Sequence, residues 1–154
     1  MVYNASSPDE LALVNGMRHF GFFFKDRDDQ DNIVIETDGR VLNYKLLHVI
    51  EFNSDRKRMS VIVRRPDGKV MLVCKGADSI INARLIPEQT NSLKTNEDLD
   101  KYAEVGLRTL LIAYKEIDEL AYEEWAIKFR EAETSLEDRD AEISKCAEEI
   151  EVDL

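Results

Sequence analysis

Arg108 interrupts an apolar stretch, with Val105-Gly106-Leu107 before it and residues 109–113 after it. An unpaired guanidinium would be costly to bury there. It therefore calls for an anionic partner, and its planar fork of donors matches phosphate oxygens well. A salt bridge to one of the chain's many carboxylates is the other reading. Beyond Arg108, the residue types that do chemistry are scattered. His19 and His48 stand far apart, neither in a ligand-spaced pair, and both read as structural histidines. Cys74 ends an apolar run and Cys146 sits in an acidic helical stretch, so both read as reduced thiols rather than as a disulfide or metal site. Gly39, Gly76 and Gly106 occur singly, which leaves no Gly-rich phosphate loop. No nucleophile and base can be paired, and a free-standing hydrolase is set aside.

The elements that must hold these residues follow from pattern and punctuation. Residues 2–5 read as a strand. Ser7-Pro8-Asp9-Glu10 writes a helix start, with Ser7 as cap, Pro8 in the first position and Glu10 completing a capping box. That helix runs to about Phe20, with Leu11, Val14, Met17 and Arg18 at amphipathic spacing, and Gly21 stops it. Phe22-Phe23-Phe24 reads as a short buried strand and residues 26–32 as a polar loop. Antiparallel signals follow: a strand over 33–36, a turn at Asp38-Gly39, a return strand over 41–52, a strand over 59–65, a turn at Pro66-Asp67-Gly68 and a strand over 69–74. Residues 78–85 predict a short helix and 87–95 a polar loop. Residues 96–105 predict a helix capped by Thr95 or Asn96, with Leu99, Tyr102 and Ala103 inward and Gly106 ending it. Residues 107–114 predict an apolar strand within the sheet. Two helices, about 118–134 and 136–151, form an antiparallel pair. The fold class is α+β: a twisted antiparallel β-sheet flanked by helices.

Four segments together resemble P-type ATPases of the lipid-transporting, type IV branch. Ser7-Pro8-Asp9-Glu10 with Ala12-Leu13-Val14 resembles that branch's SPDE segment. Residues 52–61, FNSDRKRMSV, resemble the segment that opens the nucleotide site in P-type ATPases generally. Lys75-Gly76-Ala77-Asp78 matches the K-G-A loop, and Gly106-Leu107-Arg108-Thr109-Leu110 the G-L-R-T-L loop. The order is the family's and the resemblance covers nearly the whole chain. It implies a nucleotide-binding domain, residues 1–154, from a larger membrane ATPase. Leu11 departs from the pattern, standing where the family commonly has a small residue; facing the pocket it would narrow it.

The resemblance implies that Glu10, Phe52, Ser54, Lys57, Lys75, Arg108 and Thr109 bind ATP. Phe52 can offer the aromatic face that a purine needs, or simply fill a core. Glu10 can accept from the adenine amine, serve the capping box, or do both, since a carboxylate has two oxygens. Lys75 follows an apolar strand and can meet a phosphate, or be solvated. Ser54, Lys57 and Thr109 follow by position in their motifs, whereas Arg56 and Arg58 read as sheet-surface or structural charges. No catalytic residue and no metal ligand is expected in the chain itself. Mg²⁺ would be held mainly by a separate phosphorylation domain carrying the phosphorylated aspartate. The implied partners are ATP and the parent's phosphorylation and actuator domains, with phospholipid engaged only through membrane helices. A monomeric fragment is expected, belonging to the cytosolic part of a multi-pass membrane protein.

Composition agrees with a folded module of 154 residues, 44% hydrophobic and 34% charged. The formal net charge of −11 argues against a nucleic-acid surface, which needs a basic face. No stretch approaches the roughly 20 apolar residues that span a bilayer, and no signal peptide is visible. The acidity concentrates in residues 116–154, while Arg56-Lys57-Arg58 and Arg64-Arg65 form a basic segment. Two alternatives remain: the nucleotide-binding domain of a cation-transporting P-type ATPase, and a non-enzymatic interaction domain using its sheet edge or acidic helices. A fully buried Phe52 would favour the second.

Overall fold

The computed structural model describes residues 3–5, 7–89 and 92–154. Residues 3–5 form no strand, and Val2 lies outside the described residues. Ser7 is extended, with φ −143° and ψ 158°, and its Oγ accepts the Glu10 N–H at 3.2 Å. Pro8 and the acidic pair Asp9 and Glu10 then open helix α1 (Pro8–His19), where they complement the helix dipole. Six strands follow: β1 (Phe22–Arg27), β2 (Asn32–Thr37), β3 (Arg40–Ile50), β4 (Arg58–Arg64), β5 (Val70–Gly76) and β6 (Leu111–Ile117). They form one sheet in chain order, β1 to β6. Helices α2 (Asp78–Asn82) and α3 (Ser92–Glu104) lie between β5 and β6 in the chain, and α4 (Glu119–Thr134) and α5 (Arg139–Ile150) end it. The architecture is the expected α+β arrangement with a C-terminal helix pair.

The chain divides into two compact units, residues 1–47 with 63–68, and residues 48–62 with 69–154. In the first, β1, β2 and β3 pair antiparallel, with an irregularity between Phe24 and Asp26. Asp38 and Gly39 both take positive φ, 49° and 71°, as a two-residue hairpin turn matched to strand twist requires. β1 extends past the expected Phe24 because Asp26 and Arg27 pair with Val34 and Ile33. Phe22 and Phe24 are exposed, not buried as their apolar run suggested. No α1 residue is fully buried, and Leu11 is half-buried.

The second unit holds most of the core. β4 and β5 bury alternate residues, Arg58, Ser60 and Ile62 on one and Val70, Leu72 and Cys74 on the other. α4 buries Trp125, Ala126, Phe129 and Ala132, and α5 buries Cys146, Ala147 and Ile150. Trp125 Nε1 donates to the Cys146 carbonyl at 2.8 Å, and Arg139 Nε donates to the Glu133 carbonyl at 2.9 Å. Early α4 thus meets late α5, which makes the pair antiparallel. Trp125 and Phe129 stack at 4.7 Å, and His48 stands edge-on to both at 5.4 and 5.3 Å, a structural role as expected. Both cysteines are buried and unbridged.

Beneath β4 lies a carboxylate with no solvent exposure, Glu151, the residue after α5. It accepts from Arg56 NH2, from Arg58 Nε at 2.6 Å and from Ser60 Oγ at 2.6 Å. Arg58 also donates to the half-exposed Glu148, which Arg84 holds from its other side. Arg56 and Arg58 are 6% and 2% exposed. They are structural charges, but not the sheet-surface ones that the reading also allowed. An ion buried without such partners would face a penalty of several kcal/mol. Beyond Glu151 the chain doubles onto α2's exit, where Leu154 N–H donates to the Arg84 carbonyl at 2.9 Å and Ile86 N–H to the Leu154 carbonyl at 3.0 Å.

Three expectations between residues 87 and 114 are corrected. α3 begins at Ser92, not Asn96, and Asn96 lies inside it, its Oδ1 accepting from Asn82 Nδ2 at 3.0 Å. The predicted loop is correspondingly shorter, although its Thr90 and Asn91 lie outside the described residues. Tyr102 and Ala103 are exposed rather than inward. Finally, β6 covers Leu111–Ile117, not 107–114, and closes the strand order at its end rather than inside the sheet. The cause is its partner: the ladder starts at Gly76↔Leu111, and β5 ends there, so residues 107–110 have no β5 residue opposite.

Replacing Glu151 by Ala leaves two buried guanidiniums without their shared partner, and it should cost about 3–5 kcal/mol in a urea melt. Lys128→Ala, which removes the exposed pair to Glu149 at 3.1 Å, should stay within about 1 kcal/mol of the parent. Equal losses would contradict the central place given to Glu151.

Candidate functional site

Residues 51–57 connect β3 to β4 through a turn that its own backbone closes. Lys57 N–H donates to the Asn53 carbonyl at 2.9 Å, and Arg56 N–H to Asn53 Oδ1 at 2.7 Å. Arg56 NH1 reaches back to the Glu51 carbonyl at 2.8 Å. Lys57 sits in the left-handed region at φ 52°, which costs roughly 1–2 kcal/mol for a residue with a Cβ. The turn turns its charges inward at Arg56 and presents Phe52, Ser54 and Lys57 to solvent. Phe52 is 61% exposed and follows β3 rather than ending it, so it is not the core residue that the alternative required.

The K-G-A segment comes to this turn by close approach. A Cβ on Gly76 would lie 2.6 Å from the Arg58 Cβ and 2.6 Å from the Lys57 carbonyl oxygen. That carbonyl accepts the Ala77 N–H at 3.1 Å, so only a glycine lets the end of β5 lie against the start of β4. Lys75, half-buried, stands opposite Ile112 in the β5–β6 ladder, and Gly76 opposite Leu111. Arg108 and Thr109 occupy the irregular segment leading into β6. Three of the four motif segments therefore meet at one end of β4, β5 and β6. Glu10 belongs to the first unit, half-buried in the opening turn of α1.

The burial argument for Arg108 is overturned. Its guanidinium is exposed, and so are its neighbours Leu107 and Leu110, because no strand forms there to carry them inward. Desolvation thus no longer demands an anion; what remains is its motif position and a fork-shaped donor near the β6 entrance. Sequence reasoning did not single out Glu151, nor the part that Asn53, Arg56 and Gly76 play in shaping the turn. Gly76 was noted as a single glycine and as part of the K-G-A segment, not as a point of close approach. The Arg56–Glu151 pair spans 95 residues and leaves no local signal. Phe52 also borders a cavity of about 410 Å³ with Val49, Phe129, Ile143 and Ser144, a space that neither Lys75 nor Arg108 lines.

Two of the shifted titratable groups in this unit bear on its stability in acid. Burial among Tyr122, Trp125 and Phe129 holds His48 below its ordinary value, with Arg130 adding to the effect and Glu133 opposing it. Burial pushes Glu148 upward, but Arg58 and Arg84 together outweigh it and hold the carboxyl below its ordinary range.

Residues 4–154 match the family described as P-type ATPase, cytoplasmic domain N, and the chain belongs to that family. Among its relatives, the phospholipid-transporting ATPase IC of Xenopus tropicalis is 44% identical over 154 residues, covering all of this chain and 12% of its own length. The human phospholipid-transporting ATPase IC is 47% identical over 152 residues, covering 99% of this chain and 12% of itself. The mouse phospholipid-transporting ATPase ID is 45% identical over 155 residues, covering 100% of this chain and 13% of itself. The chain thus spans about one eighth of the length of these relatives. Among the described residues no helix is long and apolar enough to cross a membrane.

Two measurements follow from the geometry. Gly76→Ala should destabilise the fold by about 1–3 kcal/mol, because its Cβ meets backbone and a buried side-chain root; an unchanged denaturation midpoint would refute the close approach. The folded His48 binds its proton less readily than the unfolded chain does. Stability is therefore full above about 6.5 and is lost as pH falls below it. Glu148, likewise depressed, adds a further loss below about 4.5. Denaturation midpoints across this acid range should fall in two stages, and His48→Phe should remove the first.

Proposed function

We propose that this domain binds Mg·ATP by its adenosine end and presents the γ-phosphate to an aspartate in a separate phosphorylation domain. The reading rests above all on Phe52, an aromatic ring left 61% exposed on a turn whose backbone is held in place. Stacking of a purine on such a ring is worth roughly 1–3 kcal/mol. Glu10 accepts from the adenine amine, Lys75 and Arg108 draw the phosphates, and Ser54, Lys57 and Thr109 supply further polar contacts. None of these groups breaks a bond; the domain contributes proximity and orientation. Among the described residues no group of three or more His, Cys, Asp or Glu could hold a metal ion. Mg²⁺ would arrive with the nucleotide and be held mainly by the phosphorylation domain.

In a whole protein like its relatives, the phosphoryl transfer would be coupled to phospholipid transport through membrane helices. The phosphorylation and actuator domains of that protein would be its partners. The domain itself would be a monomeric module on the cytosolic side. The names of the relatives favour phospholipid over cation transport.

One stacking ring and a few polar contacts support a Kd near ~1 mM, about −4 kcal/mol. Titration of Mg·ATP into isotope-labelled protein should move amide signals around Phe52, Lys75 and Arg108, and Phe52→Ala should abolish the response. No shift at several times ~1 mM ligand, in folded protein, would overturn the proposal.

A further inference from the structure

The exposed side of the 51–57 turn is held by a residue with no exposure at all. Glu151 Oε2 receives Arg58 Nε at 2.6 Å and Oε1 receives Ser60 Oγ at 2.6 Å, so β4 fixes the carboxylate from two positions. Arg56 then bridges it to the turn: NH2 to Glu151 Oε1, and NH1 to the Glu51 carbonyl at 2.8 Å. Its own N–H closes on Asn53 Oδ1 at 2.7 Å, and the next residue, Lys57, is held at φ 52°. A lysine does not keep that conformation unaided. Arg56 and Glu151 lie beneath the turn, whereas Phe52, Ser54 and Lys57 face outward.

We infer that Arg56 and Glu151 are positioning residues for nucleotide binding: the Glu151–Arg56 clamp sets the conformation in which the turn offers Phe52, Ser54 and Lys57. Neither residue touches the nucleotide. The inference rests on the nucleotide reading above and adds a determinant of affinity at the end of α5, 95 residues from the turn it governs. Lysine in place of Arg56 keeps the charge for Glu151 but lacks the fork that reaches Glu51 and Glu151 together. Ile62→Val trims a buried β4 side chain that makes no bond to Glu151, and it serves as the purely structural control.

The test is spectroscopic and needs no ligand for its first arm. In isotope-labelled Arg56→Lys the Cα and Cβ chemical shifts of Lys57 should lose their left-handed signature, and the amides of residues 53–57 should move. In the second arm the initial slope of shift against Mg·ATP should fall about tenfold. Ile62→Val should lower the denaturation midpoint while leaving Lys57 and the slope as in the parent. If Arg56→Lys does not fold, the exposed Asn53→Ala, which removes the acceptor for the Arg56 N–H, should give the same Lys57 signature. A folded variant with parental Lys57 shifts and parental slope overturns the clamp. A parent that ignores Mg·ATP counts against the nucleotide reading instead, and the Lys57 shifts then decide the clamp by themselves.

Discussion

A carboxylate withdrawn from water is tolerable only if its oxygens are filled, and Glu151 fills them with two guanidiniums and a hydroxyl. That requirement ties the end of α5 to β4 at two places, Arg58 and Ser60, and to the preceding turn at Arg56. It leaves Arg56 and Arg58 able to exist inside the fold, and through Arg56 it reaches the turn that carries three of the candidate contacts. Arg58 also donates to Glu148, and Glu148 in turn accepts from Arg84, so the charge is neutralised outward to the surface rather than at one point.

A second constraint is steric. Gly76 is the only residue type that allows the end of β5 to rest on Lys57 and Arg58, and the ladder to β6 begins at the same place. One missing Cβ therefore decides where three motif segments meet. The end of β5 at Gly76 also decides where β6 starts, since residues 107–110 find no β5 residue to pair with. Arg108 is exposed for that reason, and its reach depends on an irregular segment rather than on a strand.

Much of this was legible in the sequence because it is local. The Ser7 cap, the Asp38-Gly39 hairpin, the strands on either side of the Pro66-Asp67-Gly68 turn and the two tail helices each depend on a few neighbouring residues, and all appear in the fold. The candidate residues were legible through wording rather than physics, as four motif segments in a family's order. Where local physics was asked to stand alone it did less well. The apolar run around Arg108 suggested burial, and Phe22-Phe23-Phe24 a buried strand, because apolar residues in sequence do not say whether a partner covers them.

By itself, then, the sequence determined the element types, the antiparallel connections, the α+β class and the family. Short-range hydrogen bonding, backbone sterics and turn chemistry act over a handful of residues, and those are written in order along the chain. Only the tertiary structure decided that an acidic tail residue lies buried beneath two arginines, that Gly76 touches Lys57, and that Phe52 faces solvent. Each of these joins positions tens of residues apart, or depends on what covers a side chain. Burial, ion pairing and close approach are properties of the packed molecule, and no window of sequence contains both partners.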